Sequence, residues 1–172
     1  AISGVSADAL RRYPDPESTE LRQVIAAQNG IQPEQVFVGN GSDEVIALAF
    51  LALLKQKLPL YFPDVSYSFY PVWSQLFGIE CRTVAVAQDF TVDPESYPVQ
   101  NGGIIIPNPN APTGMLMSLA SIRRLLQRST DSVVVIDEAY IDFGPGSEFT
   151  VAAKQKFQLK LKGDCAYLCL YK

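Results

Sequence analysis

Several short stretches of this 172-residue chain carry side chains able to do chemistry, each where a strand would end or a helix begin. In Val133-Val134-Val135-Ile136-Asp137-Glu138-Ala139-Tyr140, four β-branched residues lead into two carboxylates and a phenol. Such a run reads as a buried central strand of a parallel sheet, and open α/β sheets bind ligands beyond the carboxyl ends of their strands. An acid there should face a positive partner, because a buried, unpaired carboxylate costs several kcal/mol. Two partners suit it: a magnesium ion, or the ring nitrogen of an organic cofactor.

The other stretches narrow the choice. Gly39-Asn40-Gly41-Ser42-Asp43 joins a strand to a helix. Its amides and the Ser42 hydroxyl can cradle a phosphate at the helix N-terminus, or Ser42 or Asp43 can serve as an ordinary cap. A nucleotide-hydrolysing P-loop would need a lysine after the glycines, and none follows. Asn108-Pro109-Asn110-Ala111-Pro112-Thr113-Gly114 follows a second apolar run, and Ser66-Tyr67-Ser68-Phe69-Tyr70 follows a third. Tyr67 can stack on a planar ligand or fill the core. Taken jointly, these loops fit a phosphorylated pyridine ring. Its phosphate sits on the helix N-terminus and its face on Tyr67. Asp137 keeps its nitrogen protonated, and Tyr140 bonds its phenolic oxygen.

With these residues in view, the sequence resembles the fold-type I pyridoxal-phosphate aminotransferases, class II, and among them the histidinol-phosphate aminotransferase family. The resemblance rests on Arg12-Tyr13-Pro14-Asp15-Pro16, Gly41-Ser42-Asp43-Glu44, Phe62-Pro63-Asp64, Ser66 to Tyr70, Asn108 to Gly114 and Asp137-Glu138-Ala139-Tyr140. It covers about residues 11–144. It implies pyridoxal 5'-phosphate as cofactor, held at its phosphate by Gly41, Ser42 and Asp43, on its face by Tyr67, at its nitrogen by Asp137 and at its phenolic oxygen by Tyr140. It also implies that Tyr13 reaches the phosphate of a partner subunit's cofactor, hence a homodimer. The implied activity moves an amino group between a small-molecule donor, histidinol phosphate, and the 2-oxo acid 2-oxoglutarate in cytoplasmic histidine biosynthesis.

Two departures from the family pattern bear on chemistry. Where many relatives carry an asparagine directly before Pro-Thr-Gly, this chain has Ala111, which leaves Asn110 as the candidate ring contact. The family's Schiff-base lysine follows a serine; the candidate here is Lys172, preceded by Tyr171. Catalysis without such an amine would lack its base for proton transfer. A truncated or altered derivative that keeps the fold without catalysing is therefore one alternative, and a related threonine-phosphate decarboxylase is another.

Strands and helices alternate along the chain. The expected fold is an α/β, three-layer αβα sandwich with a mostly parallel sheet, the large domain of such enzymes in incomplete form. Helices are expected over residues 19–29 (capped by Ser18, with Leu21, Val24 and Ile25 on one face), from the turn Gly39 to Glu44 through about Leu54, from about Tyr67 to Leu76 and over 119–128. The second is so apolar that burial on most sides is expected. Strands are expected over 35–38, 58–62, 81–86 and 103–106, and before Asp137. Residues 1–144 would form the cofactor-binding domain. Residues 145–172 do not match and read as a β-hairpin packed on it.

The formal charge of −4 and the scattered cations argue against a nucleic-acid partner. The absence of histidine excludes Ser-His-Asp and Cys-His catalysis and every His-based metal site within the chain. Three cysteines, Cys81, Cys165 and Cys169, suit a reducing compartment, the last two as core residues. No run is long enough to span a membrane and no signal peptide is expected. A partial large domain would expose apolar surface, so self-association is expected.

Overall fold

A computed structural model describes residues 6, 8 and 11–141. They fall into two compact units that divide between Val38 and Gly39.

The first unit is built on helix α1, Thr19–Asn29, which ends at Gly30 in the left-handed region. Its N-terminus differs from expectation. Ser18 makes no capping bond; instead the Asp15 carboxylate accepts from the amides of Glu17 at 3.0 Å and Thr19 at 2.7 Å. These bonds hold the Asp15 carboxyl below its ordinary range. Asp15 supplies two acceptor oxygens where serine offers one hydroxyl, and the loop folds around it. Arg22 ties the helix to the following 3-10 turn, Pro33–Gln35, through two bonds to the Pro33 carbonyl at 3.1 and 2.8 Å. Ala26 and Asn29 are buried, whereas Leu21 and Val24 are exposed. The strand expected over 35–38 does not form. A strand needs a ladder partner, and Val36 to Val38 has none among the described residues.

The second unit carries four strands: β1 (Leu60–Pro63), β2 (Cys81–Val84), β3 (Gly103–Pro107) and β4 (Val134–Asp137). They form one sheet in the order β2-β1-β3-β4, every pair parallel. Helices α2 (Ser42–Ala49), α3 (Phe69–Phe77) and α4 (Leu119–Arg128) cover it. The chain after α2 widens into a π-helical turn, Phe50–Leu54.

Side-chain alternation along β3 shows why both faces are covered. Ile105 packs with Val45, Ile46, Phe50, Leu54 and Tyr70 of α2, its extension and α3. Its neighbours Ile104 and Ile106 join Ile122 and Leu125 of α4 on the opposite face. Successive strand residues point to opposite faces, so an unbroken Ile-Ile-Ile run requires two apolar layers. The three-layer αβα arrangement follows. Burial of α2 and its π-helical extension is less complete than their composition suggests, since Leu48 and Leu51 face outward.

Helix α4 starts at Ser118, whose hydroxyl accepts from the Ser121 amide at 3.1 Å. Beyond its buried stripe, Arg124 and Arg128 both grip Glu95. Arg128 also donates to the carbonyls of Glu95 and Tyr97, each at 3.1 Å. These bonds pin the loop between β2 and β3 and the buried Tyr97 ring beneath it.

The entry to β3 is a steric constraint. A Cβ on Gly102 would stand 1.9 Å from the Leu58 carbonyl oxygen and 2.7 Å from its carbon, both backbone atoms. Backbone cannot step aside as a side chain can. Gly102→Ala should therefore cost at least about 2 kcal/mol, as overpacking of a closed site does. Urea unfolding followed by circular dichroism would show this as a lower midpoint at unchanged slope. A midpoint equal to that of the parent would mean that Leu58 does not sit where described.

Candidate active site

In the sheet order β2-β1-β3-β4, the chain steps outward from β1 in one direction and from β3 in the other. The carboxyl ends of β1 and β3 thus flank the topological switch point, where a crevice opens. A cleft of about 180 Å³ lies there, walled by the start of α2 (Asn40 to Asp43), Tyr67 after β1, Pro107 at the end of β3 and Ala111 beyond it, and Asp137, Ala139 and Tyr140 at the end of β4.

One end of the cleft suits an anion. Gly41 precedes α2 with φ 86°, a conformation that glycine adopts without strain. Among the described residues no side chain caps this helix end, so the first amides of α2 and the positive pole of its dipole remain available. The Asp43 carboxylate is drawn off to one side, where it accepts from the Tyr67 hydroxyl at 2.7 Å. Glu44 turns back to the Asn40 amide and fixes the loop. Burial, then the bond to Asp43 and its charge, push the Tyr67 phenol up to about 12, so it stays a neutral donor at physiological pH. The Tyr67 ring stacks on Phe69 at 5.8 Å and meets Tyr70 edge-on at 5.6 Å.

The other end suits a cation or an N–H donor. Asp137 is only 6% exposed. Its Oδ1 accepts from the Ala139 amide at 3.1 Å and its Oδ2 from the Tyr70 hydroxyl at 2.8 Å. Among the described residues no lysine or arginine pairs with it. Burial raises its proton affinity, the two bonds oppose this, and the Asp43 charge adds to the rise. Tyr140 borders the same cleft and is 44% exposed.

Gly41, Ser42, Asp43, Tyr67, Asp137 and Tyr140 are thus brought together around one cleft. Asn110 departs from the expected arrangement. It is buried, its amide nitrogen donates to the Val65 carbonyl at 2.9 Å and the Thr113 hydroxyl at 3.0 Å, and Ala111 forms the cleft wall instead. Its amide clamps two loops together, leaving neither hydrogen for a ligand. Both Asn108-Pro109 and Ala111-Pro112 are cis. Tyr13 belongs to the first unit and is fully exposed. Lys172, the expected hairpin over 145–172, Cys165 and Cys169 lie outside the described residues.

Three contributors stand in the motifs that carry the resemblance without a role of their own there. Tyr70 holds Asp137. Asp64 accepts at Oδ1 from the amides of Val65 and Val86, both at 2.9 Å, and so joins the ends of β1 and β2. Asn108 is fully buried and accepts from the Met117 amide at 2.8 Å. The one available signal was for Tyr70: a buried phenol usually finds a partner, although the buried Tyr97 hydroxyl has none among the described residues.

A family model described as aminotransferase class I and II matches residues 5–170. The chain belongs to the class I and II aminotransferase family. That match is longer than the stretch 11–144 over which the motifs are legible. Over 144 residues this aminotransferase chain is 56% identical to histidinol-phosphate aminotransferase 1 of Hydrogenovibrio crunogenus, covering 84% of the chain and 40% of that protein. The crystal structure of histidinol-phosphate aminotransferase from Clostridium acetobutylicum matches with a TM-score of 0.71 at 25% identity, over 81% of this chain and 43% of that one. The enzyme of the same name from Sinorhizobium meliloti, solved with pyridoxal-5'-phosphate, shares the fold with a TM-score of 0.73 at 23% identity, over 81% and 39%. The chain therefore spans less than half the length of these relatives. Among its described residues no helix is long and apolar enough to cross a membrane.

The Asp137 environment of this aminotransferase chain makes a pH-dependent prediction. Its proton affinity is higher folded than unfolded. The stability it contributes is thus present at low pH and lost as pH rises through the carboxylate range. Asp137→Asn mimics the protonated acid and escapes that loss. The variant should be more stable than the parent at pH 7, with the advantage vanishing as pH falls through the carboxylate range. Thermal unfolding at neutral and acid pH measures this; a variant less stable than the parent at pH 7 would contradict it.

Proposed function

We propose that this chain is the greater part of the cofactor-binding domain of a histidinol-phosphate aminotransferase, with pyridoxal 5'-phosphate as cofactor. The observation that carries this reading is the polarity of the cleft. Among the described residues, a helix N-terminus without a side-chain cap at one end suits a phosphate, and a buried carboxylate without a cation at the other suits a protonated ring nitrogen. High identity to a histidinol-phosphate aminotransferase supports the substrate class, histidinol phosphate; 2-oxoglutarate is the proposed amino acceptor.

The bound cofactor supplies an electron sink for the substrate bonds that must break. The residues of this chain position it. Gly41, Ser42 and Asp43 offer amides and a hydroxyl to the phosphate. Tyr67, locked by Asp43, presents a ring face. Asp137 accepts from the ring nitrogen and holds a proton there. Tyr140 donates to the phenolic oxygen, a contact that Asn110 is not free to make. Lys172 is the candidate for the amine that moves protons on the substrate. Tyr13 is assigned to the phosphate of a partner subunit, in a homodimer. The exposed apolar residues Leu48, Leu51, Phe69, Val72 and Leu76 support association, because such surface favours burial.

The reading has three direct tests. Pyridoxamine 5'-phosphate should bind saturably, quenching Trp73, the one tryptophan. Asp137→Ala should weaken this binding at least about tenfold, the scale set by losing a hydrogen bond to a charged group. With pyridoxal 5'-phosphate and borohydride, a mass label should appear on Lys172; absence of label on every lysine would rule out catalysis by this polypeptide. Light scattering should give twice the chain mass, and a monodisperse monomer would refute the dimer.

A further inference from the structure

Tyr70 sits at the second position of α3, with no exposed surface. Its ring packs against Phe50 at 6.0 Å, Phe62 at 5.7 Å and Tyr67 at 5.6 Å. Phenylalanine would satisfy those contacts equally well. The hydroxyl needs a separate explanation, since burying one without a partner is unfavourable. Its partner is Asp137 Oδ2, at 2.8 Å and 67 positions away in the chain.

The surroundings of Asp137 show what this bond does. From its own strand end, Ala139 donates a backbone amide to Oδ1, and Glu138 and Tyr140 flank it in sequence. From the start of α2, Asp43 faces it with an adverse charge. From the loop after β1, Tyr67 faces it with a hydroxyl committed to Asp43. Tyr70 thus donates to this carboxylate from its side chain, reaching it from α3. Each carboxylate oxygen has two acceptor positions, so one bond to each leaves both able to accept again. Two fixed bonds also hold the plane of the group against rotation.

We propose that Tyr70 is a positioning residue: its hydroxyl holds Asp137 Oδ2 so that the carboxylate is presented to the cleft in a fixed orientation, ready to accept from a ring N–H. The proposal rests on the reading of Asp137 as the ring-nitrogen partner. Tyr70 itself touches no ligand. It acts by opposing the effect of burial on Asp137, because a hydrogen bond to a carboxylate favours the charged form.

The test reads Asp137 first without ligand, by carbon NMR of its side-chain carboxyl in the full chain. Tyr70→Phe keeps the ring packing and removes one donor. The Asp137 titration midpoint should move up by about one unit, the scale of a single bond to a charged group. Placing 3-fluorotyrosine at position 70 strengthens the donor and should move it down. The second readout is the ring nitrogen of bound, nitrogen-15-labelled pyridoxamine 5'-phosphate. Tyr70→Phe should shift it toward the unprotonated value, and adding Tyr70→Phe to Asp137→Asn should change nothing further. An Asp137 midpoint unmoved by either substitution would overturn the proposal, and the fluorinated variant guards against a misfolded Tyr70→Phe. If Asp137 moves but the ligand nitrogen ignores Asp137→Asn, the hold of Tyr70 on the carboxylate stands and the cofactor reading falls.

Discussion

The last rung between β3 and β4 fixes the site. Pro107 lies opposite Asp137 in the ladder, and the Asn108 amide donates to the Asp137 carbonyl at 2.7 Å. That bond sets the level at which β4 ends. It puts an acid at the end of a strand whose preceding residues, Val134, Val135 and Ile136, are all buried. Parallel strands in register end together, so the loops after β1 and β3 arrive at the same height as the Asp137 carboxylate. The Asn108 side chain reinforces this by accepting from Met117, which draws the far side of the proline-rich loop back onto the sheet. Slipping the β3–β4 register by one residue would turn Asp137 toward the opposite face of the sheet, away from Tyr70.

The same placement creates a conflict that the fold does not remove. An apolar layer that makes β4 a good central strand makes the position of Asp137 a poor one for a charge. Two hydrogen bonds reduce the difficulty, and Asp43 across the cleft enlarges it. A site tuned only for stability would carry an amide or an apolar residue there. Retaining an acid makes sense if a ligand supplies the missing positive partner, because the adverse environment then becomes binding free energy. Functional positions are where a sequence departs from local stability rules, and this chain departs from them most at the end of β4.

Much of this was legible from residue order. Short apolar runs located β1 to β4, and the amphipathic stretch at 119–128 gave α4 to the residue. Turn chemistry placed the cleft loops. What stayed hidden depended on partners distant in sequence. Residues 35–38 have strand composition, but composition does not supply a neighbour to pair with. Ser18 and Asp15 are both plausible caps, and only the path of the loop decides between them. The direction of the Asn110 amide is set by the Val65 carbonyl, 45 positions earlier. Tyr70 looks like core filler in an aromatic helix until its hydroxyl is seen to meet a carboxylate.

The two ends of the cleft are tied to one short element. Tyr67 holds Asp43 beside the helix N-terminus, and Tyr70, three residues on, holds Asp137 at the strand end. The Tyr70 amide donates to the Tyr67 carbonyl at 3.2 Å, closing a single turn between them. Residues three apart at a helix start lie close together on one side, so the two phenols reach in related directions. The spacing between the α2 N-terminus and the acid is therefore carried by covalent geometry over four residues, more rigidly than by the packing of separate loops. A ligand recognised at both ends needs that spacing to be constant, since an error of about an ångström at one contact is enough to lose much of its benefit. The aromatic turn is in this sense the gauge of the site, and the sheet is what holds the gauge in place.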